Sequence, residues 1–387
     1  MNDFAIKIPA ERRYQNRKSG IELLKIIALL LIVISHTVQT LGTSNVFYGN
    51  NSYLIDLSAA TQNPQHFLLT LLWAAGALGN AMFFICSAWF MLDDDKVSTH
   101  KIIALLLEIL AVSVIAAAIM LIVKKGHIAP VLLIKSVAPT TFSNNWYLTC
   151  YLLFYAAHPA LNMIIRSLPK HRLLLVSMVL SILYLGAGFV VRGLFFGTEL
   201  MTWLAVYFAL AYVKRHTPET ALDLKKNIAA LLLTLAAHFV LVLITDVIGL
   251  KFSLAKNTML HWSSNCSPII ILTALAAFNI ARTRTFKSRF INYLASLSLL
   301  IYIIHENILL RTYVRPAIFD SIHSRFGYDH ILLWVIAVSA GVFVFSTAAS
   351  MLAGVIIKKP AEKVSPAIVE AIKKVYRWIS RGIMKLN

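Results

Sequence analysis

Residues 19–36 read SGIELLKIIALLLIVISH, and this stretch decides the class of fold. It is long and apolar, and its ionisable side chains are Glu22, Lys25 and His36. An α-helix of about 20 apolar residues crosses a hydrocarbon core of about 30 Å. The other apolar runs of the chain are also too long for β-barrel strands and do not alternate, so helices are required.

The composition of the whole chain agrees with this class. Of 387 residues, 59% are hydrophobic and 14% are charged, whereas soluble domains carry about 25% charged residues. These values exclude a soluble globular, disordered or fibrous protein. We predict an all-α, polytopic integral membrane protein with about ten transmembrane helices, at residues 21–42, 67–92, 102–123, 146–165, 173–191, 200–213, 228–248, 267–280, 293–310 and 331–357.

The charge pattern predicts orientation and partners. The chain has 36 Lys and Arg against 17 Asp and Glu, a formal charge of +19. With the N-terminus inside, 26 basic residues fall on cytoplasmic segments and 9 on outer ones. Basic residues collect in cytoplasmic loops beside anionic lipid. The pattern therefore predicts a multi-pass protein of the cell's inner (plasma) membrane with both termini cytoplasmic, and membrane lipids rather than nucleic acid as partners.

Three segments follow from this topology. Residues 1–20 form a cytoplasmic N-terminal segment, residues 21–357 form the transmembrane domain, and residues 358–387 form a basic cytoplasmic tail. Apolar residues recur in the tail at three- and four-residue steps, which predicts an amphipathic helix on the inner membrane surface: Ile368, Ile372, Val375, Ile379 and Ile383. The cysteines, Cys86, Cys150 and Cys266, have no metal or redox spacing, and we expect no metal.

The first predicted helix carries two ionisable groups on one face. Lys25 and His36 are eleven residues apart, which places them within 20° of each other and about 16 Å apart along the axis. Such residues inside a span are functional candidates, and Glu22 could pair with Lys25. Alternatively, Lys25 extends to the interface and His36 only caps the outer end. Spacing alone leaves the two interpretations equal.

The ninth predicted span combines an apolar run with Tyr302, His305, Glu306 and Asn307, followed by Arg311. These groups need partners inside the protein, either in a functional site or in a polar clamp between helices. The second span, around Asn80, is rich in small residues, and close helix packing is the favoured explanation there.

These features resemble acyltransferase family 3 membrane proteins. The first helix of that family carries a basic residue, ten intervening residues and a histidine, as in Ser19 to His36 here. Four later segments also resemble segments of the family and occur in the same order: 80–90, 146–162, 267–268 and 291–311. Together they extend the similarity over about residues 17–357. Glu22 and Lys25 stand where Asp and Arg are commoner, and Ala88 replaces a usual glycine.

The resemblance implies an integral membrane O-acyltransferase with an acyltransferase-3-like transmembrane domain. It would transfer an acyl group, first of all acetyl, from cytosolic acetyl-CoA as donor co-substrate to a sugar hydroxyl of a surface polysaccharide or lipid-linked glycan precursor. A polytopic transporter or exporter of a glycan or small solute is the alternative from another class.

The resemblance also suggests roles for single residues. His36 would act as a general base or as a transient acyl carrier, and Lys25, positioned by Glu22, would bind a CoA phosphate. The late segment would stabilise the oxyanion or orient the acceptor. Its candidates are Tyr302 and His305 for catalysis and Asn307, Glu306 and Arg311 for acceptor binding, together with Asn80 from the second span.

Overall fold

The computed structural model describes residues 19–41, 63–140, 145–191, 198–217, 223–252, 261–327 and 329–384. Apart from Ser19 and Gly20, the predicted N-terminal segment lies outside these ranges, as do most of the predicted outer loop after the first helix and the last three residues. Within the described ranges the chain is helical and has no strand. The prediction of an all-α polytopic membrane protein is confirmed.

Fourteen helices organise the described residues. In chain order they are α1 Ser19–Gln39, α2 Pro64–Met91, α3 Thr99–Val123, α4 Pro130–Val137, α5 Trp146–Ser167, α6 Lys170–Val190, α7 Thr198–His216, α8 Leu224–Lys251, α9 Pro268–Arg282, α10 Arg289–Ser296, α11 Ser298–His305, α12 Arg315–Phe326, α13 Ile331–Ala353 and α14 Lys359–Met384. The π-helical turn Leu310–Val314 leads into α12, and Gly354–Lys358 joins α13 to α14 without a break.

Seven helical segments of the described chain are long and apolar enough to cross a membrane: α1, α2, α3, α5, α6, α8 and the continuous helix Ile331–Ser380. Three further predicted spans have another form. Residues 200–213 lie in α7, residues 267–280 correspond to the 15-residue α9, and residues 293–310 are divided between α10 and α11. Helix α7 buries Trp203 and Tyr207. A helix surrounded by protein needs less apolar surface than one that faces lipid, because its polar groups can find partners.

Helices α1 and α2 pack closely through the small residues of the second span. A Cβ atom added to Gly79 would collide with the backbone carbonyl of Ala28, and one added to Gly76 would collide with the Ser35 hydroxyl. Ser35 in turn donates a hydrogen bond to the Trp73 carbonyl at 2.6 Å. Small residues therefore set the distance between these two helices, as expected for close packing in a membrane.

The tail forms the predicted helix, and α14 packs along α3. Beyond this contact several apolar side chains of α14 are exposed, including Ile372, Val375 and Trp378. Basic residues interrupt this apolar surface, as in helices that lie in a membrane interface. The location of the tail on the membrane stays a prediction.

Candidate active site

Two distant helices bring His36 and His305 into contact. His36 lies in the last turn of α1, and His305 is the last residue of α11. The Nδ1 atom of His36 is 3.2 Å from Nε2 of His305, and the rings stack with centroids 5.4 Å apart. The first and ninth predicted spans therefore contribute to one polar centre.

The helical conformation is interrupted directly after α11, and this interruption positions the carboxylate of Glu306. Asn307 accepts a hydrogen bond from the backbone N–H of Leu309 at 3.0 Å, which caps the next helical segment. Glu306 lies in this break, and its Oε2 is 2.7 Å from Nδ1 of His36. The Glu306 side chain is 4% exposed and that of His36 is 15% exposed. His36 is thus held by a buried carboxylate while part of its ring remains accessible.

Two arginines balance the buried charge of Glu306. Arg315 donates from Nη2 to Glu306 Oε2 at 3.1 Å, and Arg311 donates to Oε1. Arg315 also donates to the backbone carbonyls of His36 at 3.1 Å and of His305. These carbonyls belong to helix ends, where a cation is favourable.

The sequence analysis did not identify Arg315, which is only 3% exposed in the structure. The available signal was a second basic residue one turn after Arg311, following an apolar run. A basic residue there is costly unless it has a buried partner.

The hydrogen-bond partners assign the protons of both imidazoles. Nδ1 of His305 is 3.0 Å from the Ile301 carbonyl, which can only accept, so this nitrogen carries the hydrogen. Nε2 of neutral His305 is then an acceptor, and Nδ1–H of His36 points to it and to Glu306. In the neutral form of His36, this arrangement leaves Nε2 with a lone pair that can accept a proton. In its neutral form His305 has no second N–H for a substrate oxygen, and its role as a hydrogen-bond donor stays a prediction.

The same three side chains offer ligand atoms suited to a metal ion. Ligand atoms of His36, His305 and Glu306 lie within 4.8 Å of one another. Both Glu306 oxygens are already hydrogen-bonded to arginine side chains. A cation would have to displace Arg315 or repel it, so the charges here fit a proton-transfer site better than a metal site.

The remaining predicted residues of the late segment lie around this centre. The Tyr302 ring meets His305 edge-on, with centroids 5.4 Å apart, and also contacts Tyr147. The side-chain oxygen of Asn307 serves the helix cap described above. Asn80 donates to Asn265 at 3.2 Å, and no described contact joins it to the histidines.

Lys25 and Glu22 line a separate cavity at the beginning of α1. Their side chains form an ion pair of 3.4 Å, and Lys25 also lies over the Phe90 ring at 5.3 Å. The cavity has a volume of about 610 Å³. Its basic side chains come from three regions of the sequence and its aromatic ones from α2 and α5: Lys25, Lys101, Arg282, Arg284, Trp89, Phe90, Tyr151 and Tyr155.

The wall of this cavity continues into a fixed loop after α2. Asn162 donates hydrogen bonds to the carbonyls of Met91 and Asp94, at 2.8 and 2.9 Å. Arg166 pairs with Asp95 at 2.6 Å, and its hydrogen bond lowers the pKa of that carboxyl below its usual value. Asp93 pairs with Lys214 of α7 at 2.6 Å, so two of the three carboxylates in the run 93–95 are paired with cations of neighbouring helices.

The chain belongs to acyltransferase family 3. The family model described as an acyltransferase domain matches residues 18–354, nearly the whole chain. No curated protein and no solved structure matches the chain significantly. The protein is therefore a membrane acyltransferase in general terms, and membership favours group transfer over the transport alternative.

Proposed function

We propose that the protein is an O-acyltransferase of the inner membrane that transfers an acyl group from cytosolic acyl-CoA to a sugar hydroxyl. Acetyl is the acyl group that we favour. The acceptor would be a surface polysaccharide or its lipid-linked precursor. The contact that carries the proposal is the 2.7 Å pair between Glu306 and Nδ1 of His36. A buried carboxylate on one imidazole nitrogen prepares the other nitrogen to take a proton.

The reaction balances with these residues alone. Nε2 of His36 removes the proton of the acceptor hydroxyl while its oxygen attacks the thioester carbonyl. The C–S bond breaks, and the imidazolium returns the proton to the leaving thiolate, which gives an ester and free CoA. Glu306 stabilises the transient imidazolium, and Arg315 holds Glu306 and both histidines in place. In this account His305 and Arg315 are positioning residues.

The cavity beside Lys25 is the proposed site for the donor nucleotide. Four basic side chains face two acidic ones in its lining, so the local charge favours phosphates. Phe90 is about half exposed and offers a ring on which an adenine could stack. Eleven residues of α1 separate Lys25 from His36, about 16 Å along the axis. The donor's pantetheine arm would run along this helix to bring the thioester to the histidine.

The general-base role is testable against the acyl-carrier role. If His36 is the base, incubation of the purified protein with radiolabelled acetyl-CoA and no acceptor should leave the protein unlabelled. Acyl label that maps to His36 would show the carrier role instead. With an acceptor glycan present, label should move to the glycan in both cases.

The function itself is tested by comparing substitutions of two histidines, His36 and the buried His158. His36→Gln should abolish acylation of surface polysaccharide, measured by mass spectrometry, and acyl-dependent CoA release by the purified protein. His158→Gln is the matched control, since the buried His158 contacts the Tyr155 carbonyl in α5. Acylation by folded His36→Gln protein within a few-fold of the parental rate would contradict the proposal.

A further inference from the structure

Helix α3 carries a carboxylate that the proposed chemistry does not use. Glu108 lies nine residues after the start of α3, about 14 Å along the helix, in a segment long and apolar enough to cross the membrane. It is 6% exposed. It forms no hydrogen bond and no ion pair with any residue in the described ranges. An ionisable group in such a place is costly, and a functional role is the first interpretation to consider.

Glu108 lines a cavity of about 440 Å³ between α3, the junction of α10 and α11, and the beginning of α14. The cavity contains charges of both signs. Lys358, Lys101 and His100 supply basic nitrogens, and Glu362 adds a second carboxylate at the exposed side of α14. The histidine pair of the candidate active site does not line this cavity.

The positive and negative groups of this cavity are not paired with one another. The Nζ atom of Lys358 donates to the Ser296 carbonyl at 2.8 Å. Among the described residues it makes no ion pair with Glu108 or Glu362. Because opposite charges in one cavity normally pair, this separation fits a guest that carries both an anion and a cation.

Exposed aliphatic side chains continue along the face of α3 that carries Glu108. Ile115 and Ile119 follow Glu108 by seven and eleven residues, which places them within about 20° of it around the helix axis, and both are close to half exposed. Hydrocarbon of a lipid is the natural neighbour of such a surface in a membrane protein. A guest with a charged head and apolar chains therefore fits both parts of this region.

We propose that this cavity binds the headgroup of an aminophospholipid, with its phosphate at Lys358 and His100, its ammonium at Glu108 and Glu362, and its acyl chains along α3. A primary ammonium donates hydrogen bonds to a carboxylate, which a quaternary ammonium cannot do. The bound lipid would fasten α14 to α3. The proposal is independent of the acyl-transfer mechanism, and this cavity shares only Lys101 with the lining of the cavity beside Lys25.

Lipid retention by the full chain tests the proposal. The purified protein is exchanged into phosphatidylcholine nanodiscs that also contain phosphatidylethanolamine or phosphatidylglycerol, and co-purifying lipid is quantified by native mass spectrometry. The parent should retain phosphatidylethanolamine in preference to both other lipids. Glu108→Gln should lower that preference about tenfold, the effect of losing one charge-assisted hydrogen bond.

Two further variants make the result decisive. Glu370→Gln is the matched control, because Glu370 lies on α14 outside the cavity and pairs with Arg377; it should behave as the parent. If Glu108→Gln fails to fold, judged by size-exclusion chromatography, Glu362→Gln at the exposed rim replaces it and should weaken retention. Equal retention of all three lipids, or unchanged preference in folded Glu108→Gln protein, overturns the proposal. Competition by free phosphoethanolamine as strong as that by the lipid overturns the lipid assignment.

Discussion

Replacement of Glu306 by glutamine tests the proposed role of this residue most directly. Glu306 bonds His36 at 2.7 Å and Arg315 at 3.1 Å, and it also bonds Arg311. Glutamine has nearly the same shape, but only one acceptor oxygen and no charge. If that oxygen stays beside Arg311, in the place of Oε1, the amide nitrogen takes the place of Oε2, where it faces both Arg315 and Nδ1 of His36 and donates to that imidazole nitrogen. The imidazole proton then moves to Nε2, which removes the base.

The expected kinetic effect is large. The corresponding change of the triad aspartate in a serine protease lowers kcat about 10⁴-fold because the histidine adopts the wrong tautomer, and we expect about 10³- to 10⁴-fold for Glu306→Gln. The buried Arg315 and the partly exposed Arg311 also lose their counter-charge, and breaking a buried pair costs about 3–5 kcal/mol of stability. The amount of folded protein should therefore fall as well, and rates must be expressed per folded molecule.

The assay is acyl-CoA-dependent release of free CoA by purified protein with acceptor glycan, together with thermal unfolding followed by size-exclusion chromatography. Glu306→Asp keeps the charge and should recover part of the rate. Asp246→Asn removes another buried carboxylate of a membrane-spanning helix and serves as the control for stability alone. If folded Glu306→Gln protein turns over within a few-fold of the parent, the proposed orientation and charge role of Glu306 is refuted.

Four further predictions address other parts of the molecule. Lys25→Ala should raise the KM for acyl-CoA about tenfold or more, whereas Lys25→Arg should keep it near the parental value because the positive charge remains. An equal change of KM in both variants would show that the charge of Lys25 does not contribute to acyl-CoA binding. Gly79→Val should reduce the yield of folded protein through its clash with Ala28, and normal thermal stability would contradict the close contact of α1 and α2. Asp95→Asn should lower stability slightly near neutral pH, since Arg166 lowers the pKa of Asp95; the difference should narrow as the pH falls through that lowered pKa, because a carboxyl with a depressed pKa stabilises only while ionised. A reporter fused to the C-terminus should be cytoplasmic, and an external signal would contradict the predicted topology.

Much of the architecture was predictable because membrane helices are specified locally. An apolar run of sufficient length must form a helix in lipid, so α1 and α3 are evident from the sequence alone. The interior spans were harder, because a helix surrounded by protein can be short or polar. Residues 293–310 read as one span, yet Asn307 caps a new segment and Glu306 lies in the break.

The site was predictable only in part. The sequence identified His36, His305 and Glu306 as unusual in apolar surroundings, and it placed Lys25 on the face of His36. It gave no reason to pair Glu306 with His36 or to include Arg315, because these contacts join residues about 270 to 280 positions apart. Arg282 and Arg284 likewise join Lys25 in one cavity only through the packing of α9 against α1.

The sequence by itself therefore determined the environment of the protein, its helical class and the family resemblance. These properties depend on the length of each apolar run and on short motifs, and neither depends on residues that are distant in the sequence. The tertiary structure decided which polar groups meet. A charged group buried among helices needs a partner, and the packing of the helices determines which partner it contacts. Glu306 contacts His36 and two arginines, whereas Glu108 faces a cavity.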